Sequence, residues 1–111
     1  MSKHKRLESS ITRAMSKIIR EDLKSPDIGF VTVTAVKLTN DLSHLRVYYT
    51  VLDEEARERT QAALERSNAF IRTTLGRLVT MRKMPELTFN YDESLDTGNR
   101  IEAGLKKVLD E

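Results

Sequence analysis

The stretch ERSNAFIRTTLGRLVTMRKMP, Glu65 to Pro85, decides how the chain is read. From Arg66 to Pro85 it holds no Asp or Glu, yet it carries Arg66, Arg72, Arg77, Arg82 and Lys83. Phe70, Ile71, Thr74, Leu75 and Leu78 recur at the spacing of one helical face, so an amphipathic helix is expected with that face packed. Arg72, Gly76 and Lys83 then fall on the opposite face, with Arg77 on its flank and small Thr73 and Thr80 between. Ser67-Asn68-Ala69 interrupts what would otherwise be one long helix from about Glu54. Ser and Asn compete for backbone hydrogen bonds and favour caps and turns over helix interiors. A helix start with its N–H groups pointing outward between Arg66 and Arg72 is an expected phosphate seat. The same residues also fit a simple kink followed by a solvated basic face.

Working outward, Asp53-Glu54-Glu55 suits the start of the preceding helix, where carboxylates meet the positive end of the dipole. Ala56, Ala63 and Leu64 give that helix a thin apolar face for close packing. Upstream, Phe30–Leu38 alternates and is rich in β-branched residues, which predicts a strand. Asn40-Asp41-Leu42-Ser43 connects it to a partner strand, Leu45–Val51, with Leu45, Val47, Tyr49 and Val51 on one side. Tyr48 and Arg46 lie on the other side, where a tyrosine either covers the sheet or stacks on a base. Downstream, Pro85 punctuates and Leu87, Phe89 and Tyr91 alternate as a third strand. Ile101, Leu105, Val108 and Leu109 predict a short C-terminal helix, with Asn99 and Glu102 as a capping box.

At the N-terminal end, Leu7, Ile11, Ala14, Met15, Ile18 and Leu23 trace one helical face, and Ser25-Pro26 stops the helix near Lys24. Lys3, Arg6, Arg13, Lys17, Arg20 and Lys24 form a stripe on its far side. One such stripe is the ordinary wet face of a helix. Two nearly acid-free stripes in one small domain point to a polyanion.

Bulk properties agree with a single folded unit. The chain has 111 residues, 39% hydrophobic and 32% charged, with a net charge of +2. The distribution matters more than the total: residues 1–24 hold seven Lys/Arg against three acids, and Glu86 onward holds seven acids against three bases. A molecule polarised in this way can hold a polyanion on one side and keep it off the other. The sequence has no cysteine, which excludes disulfides and thiolate chemistry and fits a reducing cytosol. No apolar run reaches membrane-spanning length and no signal-peptide core follows the basic start, so a cytoplasmic protein is expected.

The predicted order is helix, strand, strand, helix, kink, helix, strand, with helices on one face of a three-stranded sheet: a two-layer α+β domain. One domain is expected over 1–111, with a core at about 6–92 and a C-terminal extension from 93. The hairpin is antiparallel, and the third strand, arriving by a helical crossover, can pair parallel.

That order resembles the type II, bacterial-type KH-like domain, in which a GXXG loop between two helices clamps nucleic-acid backbone. More narrowly, the chain resembles ribosome-binding factor A. The residues that carry the likeness are Ser25-Pro26-Asp27-Ile28-Gly29 running into Val31-Thr32-Val33-Thr34-Ala35-Val36, then Asp41-Leu42 before Arg46-Val47-Tyr48. Ala69-Phe70-Ile71-Arg72 with Leu75-Gly76 follow, then Pro85–Ser94 and Gly98. The resemblance implies a non-enzymatic assembly factor that binds the immature small ribosomal subunit through ribosomal RNA. It further implies help in late maturation and processing of that RNA, most needed in the cold. In that family an Ala-x-Gly kink replaces the KH loop. Here those positions read Ser67-Asn68-Ala69, so any left-handed residue should be Asn68, which tolerates positive φ better than Ala69.

Candidate RNA-binding residues are therefore Arg6, Arg13, Lys17, Arg20, Lys24, Arg66, Ser67, Asn68, Ala69, Arg72, Arg77, Arg82 and Lys83. His4 and His44 are isolated and read as surface residues. Glu54, Glu55 and Glu58 are better explained by the helix dipole than by a cation. Asp92, Glu93 and Asp96 lack a neighbouring His, Cys or phosphate loop, and no nucleotide or zinc motif occurs. The expectation is a protein that binds without catalysing, needs no cofactor, metal or small-molecule substrate, and is a monomer when free. The alternative from a different class is a protein-interaction adapter that docks an acidic partner or pairs at the sheet edge.

Overall fold

A computed structural model describes residues 3–23 and 26–93. The expected C-terminal helix with its capping box, Asp96 and Lys24 lie outside the described residues. The elements run in the order α1 (Lys3–Lys17), β1 (Val31–Leu38), β2 (His44–Val51), α2 (Arg57–Arg66), α3 (Asn68–Leu78) and β3 (Glu86–Tyr91). A π-helical turn, Ile18–Asp22, extends α1, and a single 3₁₀ turn, Glu54–Ala56, leads into α2. This is the α+β order that the hydrophobic periods predict.

The sheet order is β1-β2-β3. β1 and β2 are antiparallel, Val31 facing Val51 and Leu38 facing Leu45. β3 runs parallel to β2, placing Leu45 beside Leu87, Val47 beside Phe89 and Tyr49 beside Tyr91. Parallel pairing follows from the route of the chain, because β3 arrives only after two helices. One face of the sheet is buried, and Leu45, Val47, Tyr49, Leu87 and Phe89 share it with Ile11 and Met15 of α1, Leu64 of α2 and Ile71 and Leu75 of α3. The other face, which carries Thr32, Lys37, Arg46 and Thr88, is exposed. Helices therefore form a single second layer.

Two local departures from simple periodicity have physical causes. In β1 the register shifts between Val33 and Ala35, so Thr34 is the extra residue of a bulge. The inward set consequently runs Val33, Val36, Leu38 instead of alternating throughout. At the end of α1, the Leu23 N–H donates to the Ile18 carbonyl at 3.2 Å, an i+5 bond. The widened turn lets consecutive residues Ile18 and Ile19 both sink into the core, at 0% and 5% exposure.

The β1–β2 connection is pinned by Asp41. Its Oδ1 accepts from Ser43 Oγ at 2.7 Å, Thr39 Oγ1 at 2.9 Å and the Ser43 N–H at 3.1 Å. Leu42 takes φ 63°, a left-handed conformation disfavoured for a branched side chain. It does so while packing against the core cluster. The bond from Ser43 Oγ, followed by the other two, holds the Asp41 carboxyl down from 3.8 to about 2. A depressed carboxyl pKa means that the contribution is complete above the unfolded value near 3.8 and is lost as pH falls through about 2. An NMR titration of the Asp41 carboxyl carbon should therefore give a midpoint near 2, and a midpoint near 3.8 would remove this account of the turn.

Candidate nucleic-acid interface

On α1 and its π extension, Arg6, Arg13, Lys17 and Arg20 are all exposed, as the stripe predicts. Glu21 sits between the last two, 3.5 Å from Lys17 Nζ and 3.4 Å from Arg20 Nη2. These pairs are exposed and weak, so a phosphate can displace the carboxylate at little cost. Arg6 and Arg13 have no ion pair among the described residues.

At the kink, Ser67 adopts φ −91°, ψ 6° and shares its N–H between the Ala63 and Leu64 carbonyls at 3.0 and 3.1 Å. Its carbonyl accepts the Ile71 N–H at 2.9 Å, so α2 runs into α3 with one residue in the bridge region. No residue here has positive φ, so the kink is made without the left-handed residue for which Asn68 is the candidate. Neither Ser67 nor Asn68 provides the side-chain cap expected of it. Asn68 is instead the first residue of α3, and its Nδ2 donates to the Leu87 carbonyl at 3.0 Å. Ala69 is exposed beside it.

The arginines that flank the kink are engaged elsewhere. Arg66 Nη2 lies 3.1 Å from Asp27 Oδ2 across the surface. Arg72 folds back on the chain: its Nε donates to the Pro85 carbonyl and its Nη2 to the Met84 carbonyl, both at 2.8 Å. The 79–85 loop thus lies back along α3, with Met84 Sδ 3.5 Å from where a Cβ on Gly76 would stand. Arg72 and Gly76 face this loop. Lys83 belongs to it and not to the helix, which ends at Leu78. The single basic face of Arg72, Gly76 and Lys83 expected from the helical wheel is replaced by a clasp.

Arg72 is one of three donors lined up along the outer edge of β3. Gln61 Nε2 donates to the Phe89 carbonyl at 2.8 Å, Asn68 Nδ2 to that of Leu87, and Arg72 Nε to that of Pro85. Alternate carbonyls on a strand point the same way, and these point away from β2. Three side chains from α2 and α3 therefore occupy the acceptors that an added strand would need. Sequence reasoning missed this row. Its only signal was the spacing of Gln61, Asn68 and Arg72 at i, i+7 and i+11, which places them along one helical face.

Arg77, Arg82 and Lys83 are exposed and have no ion pair among the described residues. The packed face of α3 is narrower than expected: Ile71 and Leu75 are fully buried, but Phe70 is 49% and Leu78 46% exposed. Phe70, Thr73 and Arg77 follow one another at i, i+3 and i+7 on a single outward face. An aromatic ring beside cations is what an unstacked base and its phosphates require. α3 packs against α1 and the π turn, so the two cation-bearing helices are neighbours. Lys37 and Arg46 are further exposed cations, on the uncovered face of the sheet. Tyr48 is half-buried on that face, between Ala35 and Asn90.

The two described acids at the end of β3 are engaged. Asp92 accepts from Thr34 Oγ1, and Glu93 lies 2.6 Å from Arg57 Nη2. The Arg57 guanidinium stacks 3.8 Å from the centroid of Tyr91, whose ring meets Tyr49 edge-on at 5.6 Å. Burial pushes the Tyr49 hydroxyl up to about 12, and it donates to Gln61 Oε1. An open groove of about 590 Å³ runs past Arg57, Gln61, Asn90 and Glu93, so a concavity does lie beside the acidic end. Among the described residues no three His, Cys, Asp or Glu gather as metal ligands, and no helix is long and apolar enough to cross a membrane.

Fold and surface together define a small two-layer α+β protein that presents cations from two neighbouring helices. The chain belongs to the ribosome-binding factor A family, whose model matches residues 3–105. It is 42% identical over 113 residues to ribosome-binding factor A of Pelobacter propionicus, covering 100% of this chain and 93% of the relative. To that of Chromobacterium violaceum it is 40% identical over 110 residues, covering 99% and 80%. Among solved structures it is similar to the crystal structure of ribosome-binding factor A from Thermus thermophilus, with a TM-score of 0.74 and 34% identity over 81% of this chain and 97% of that one. It is also similar to a homology model of the Thermus thermophilus factor as fitted into a cryo-EM map of a 30S–RbfA complex, with a TM-score of 0.69 and 35% identity over 79% and 93%.

Proposed function

We propose that this protein is a ribosome-binding factor that binds the free small ribosomal subunit, with ribosomal RNA lying across the exposed cations of α1, α3 and the 79–85 loop. It assists late maturation and processing of that RNA in the cytoplasm, and the need for it is greatest in the cold. It works by binding, as one KH-like domain with a core at about 6–92, and a single copy suffices. Support comes from membership of the family and from the relative fitted into a 30S complex. The observation that carries the RNA surface is the set Arg6, Arg13, Arg77, Arg82 and Lys83: exposed, free of carboxylate partners among the described residues, and borne on elements that touch. Lys17 and Arg20 join once Glu21 is displaced. Ser67, Asn68 and Arg72 hold the backbone in place behind this surface, Ala69 lies exposed beside them, and Arg66 reaches RNA only by releasing Asp27.

Five phosphate contacts to a single strand predict a slope of about −3.5 for log affinity against log salt, a loss of roughly a hundredfold between 50 and 200 mM. Filter binding of a ribosomal RNA fragment over a salt series measures it, and a flat dependence would refute a phosphate-tracking surface. In the same assay Phe70→Ala should weaken binding by about 1–2 kcal/mol, the worth of one stacked base, without lowering the melting temperature. Unchanged affinity would leave Phe70 outside the interface.

A further inference from the structure

The two most exposed large apolar side chains of the described residues stand together at one end of the β1–β2 hairpin. Phe30 is 78% and Leu52 81% exposed. They flank the open end of the β1–β2 hairpin, where the Leu52 N–H donates to the Phe30 carbonyl at 3.2 Å. A groove of about 230 Å³ lies between them, floored by Gly29, Val51 and Ala56. A second, of about 270 Å³, continues on the other side of Phe30 over Leu23, Ile28 and Val31. Leaving such a pair in water is unfavourable, and a rimmed apolar patch on a small soluble protein marks a contact site.

Charge selects the occupant. Leu52 runs directly into Asp53, Glu54 and Glu55, all exposed. Asp27 and Asp53 line the first groove with Arg59, Arg20 lines the second, and Arg57 lies 3.6 Å from Glu54; Glu55 and Glu58 follow with no ion pair among the described residues, so the balance beside Leu52 stays acidic. A phosphate chain laid here would meet those carboxylates, even though Phe30 offers a ring on which a base could stack. A protein segment rich in Lys and Arg would find both complementary charge and a seat for one apolar anchor.

We infer that Phe30, Leu52 and the Asp53–Glu55 run form a docking site for a basic protein segment, whose aliphatic or aromatic anchor enters the groove between Phe30 and Leu52. This site meets the proposed RNA surface at Arg20 and goes beyond the proposed function: the protein would hold a cationic polypeptide as well as RNA.

The test is an NMR titration of the isotope-labelled protein with a synthetic Lys/Arg-rich peptide carrying one leucine and one phenylalanine. Shift changes should centre on Gly29, Phe30, Leu52, Asp53 and Glu55. Phe30→Ser with Leu52→Ser should weaken binding roughly tenfold, as removal of a central apolar anchor does. Both positions are exposed, so the variant keeps the fold, which its spectrum reports directly. A control peptide of equal charge with both apolar residues replaced by serine should bind roughly tenfold more weakly, and Arg77→Glu should have no effect. Equal binding by the control peptide, no binding by the first peptide, or oligouridylate shifting the same residues would each overturn the inference. The RNA reading is separate: Arg77→Glu tests it by RNA affinity, whatever the peptide does.

Discussion

The triple variant Arg13→Glu, Arg77→Glu, Arg82→Glu is expected to lose at least roughly a hundredfold in affinity for small-subunit RNA and to flatten the salt slope by about 2. On the proposed function, each substitution would remove a phosphate contact and put a carboxylate in its place, so attraction would become repulsion at three points. Stability should hardly move. All three side chains are exposed and have no ion-pair partner among the described residues, and exposed substitutions of this kind fall within about 0.5 kcal/mol. Thermal melts and filter binding on the same preparation separate the two effects. A variant that melts normally and binds like the parent would take α1, α3 and the loop out of the interface.

Arg72→Ala should behave in the opposite way. The substitution deletes two 2.8 Å bonds from a charged donor and frees the loop end that leads into β3. Hydrogen bonds from a charged group contribute about 1.5–3 kcal/mol, which for a domain of this size lowers the melting temperature by roughly 10 °C. Affinity of the folded fraction for RNA should stay within about threefold, since this guanidinium is already committed to carbonyls. Arg72→Lys should not restore stability, because one ammonium cannot reproduce a planar fork bridging two acceptors. A normal melt with lost RNA affinity would return Arg72 to the binding surface. Sequence alone pairs Arg72 with Arg77 as equivalent contacts; the structure makes one a clasp and leaves the other open.

The difference between those two arginines shows what was legible and what was not. Element order followed from local signals: the β-branched run Val31–Val36, the Pro85 stop, and the apolar repeat of Ile71 and Leu75. Even the β1 bulge was visible in retrospect, because the apolar phase jumps from Val33 to Val36. Helical wheels, however, place side chains on an isolated cylinder. They assigned Phe70 and Leu78 to the core, whereas the core needed only Ile71 and Leu75 once α1 and the π turn had filled the rest. They put Lys83 on a helix that ends at Leu78. They also had no means of showing that the loop after Val79 folds back, or that unpaired β3 carbonyls would recruit Gln61, Asn68 and Arg72. That need is set by tertiary contact between distant segments, and an edge acceptor leaves no mark in local sequence. The sequence places Phe30 at the head of a strand and Leu52 just past the end of its partner, and neither position shows its exposure, which depends on which elements end beside it.

The most direct test is to crosslink the protein to purified free small subunits with ultraviolet light and map the RNA-bearing peptides by mass spectrometry. Adducts should concentrate on α1, on α3 around Phe70 and Arg77, and on the loop holding Arg82 and Lys83. Adducts confined to the uncovered sheet face around Lys37, Arg46 and Tyr48, with none on those helices, would contradict the account.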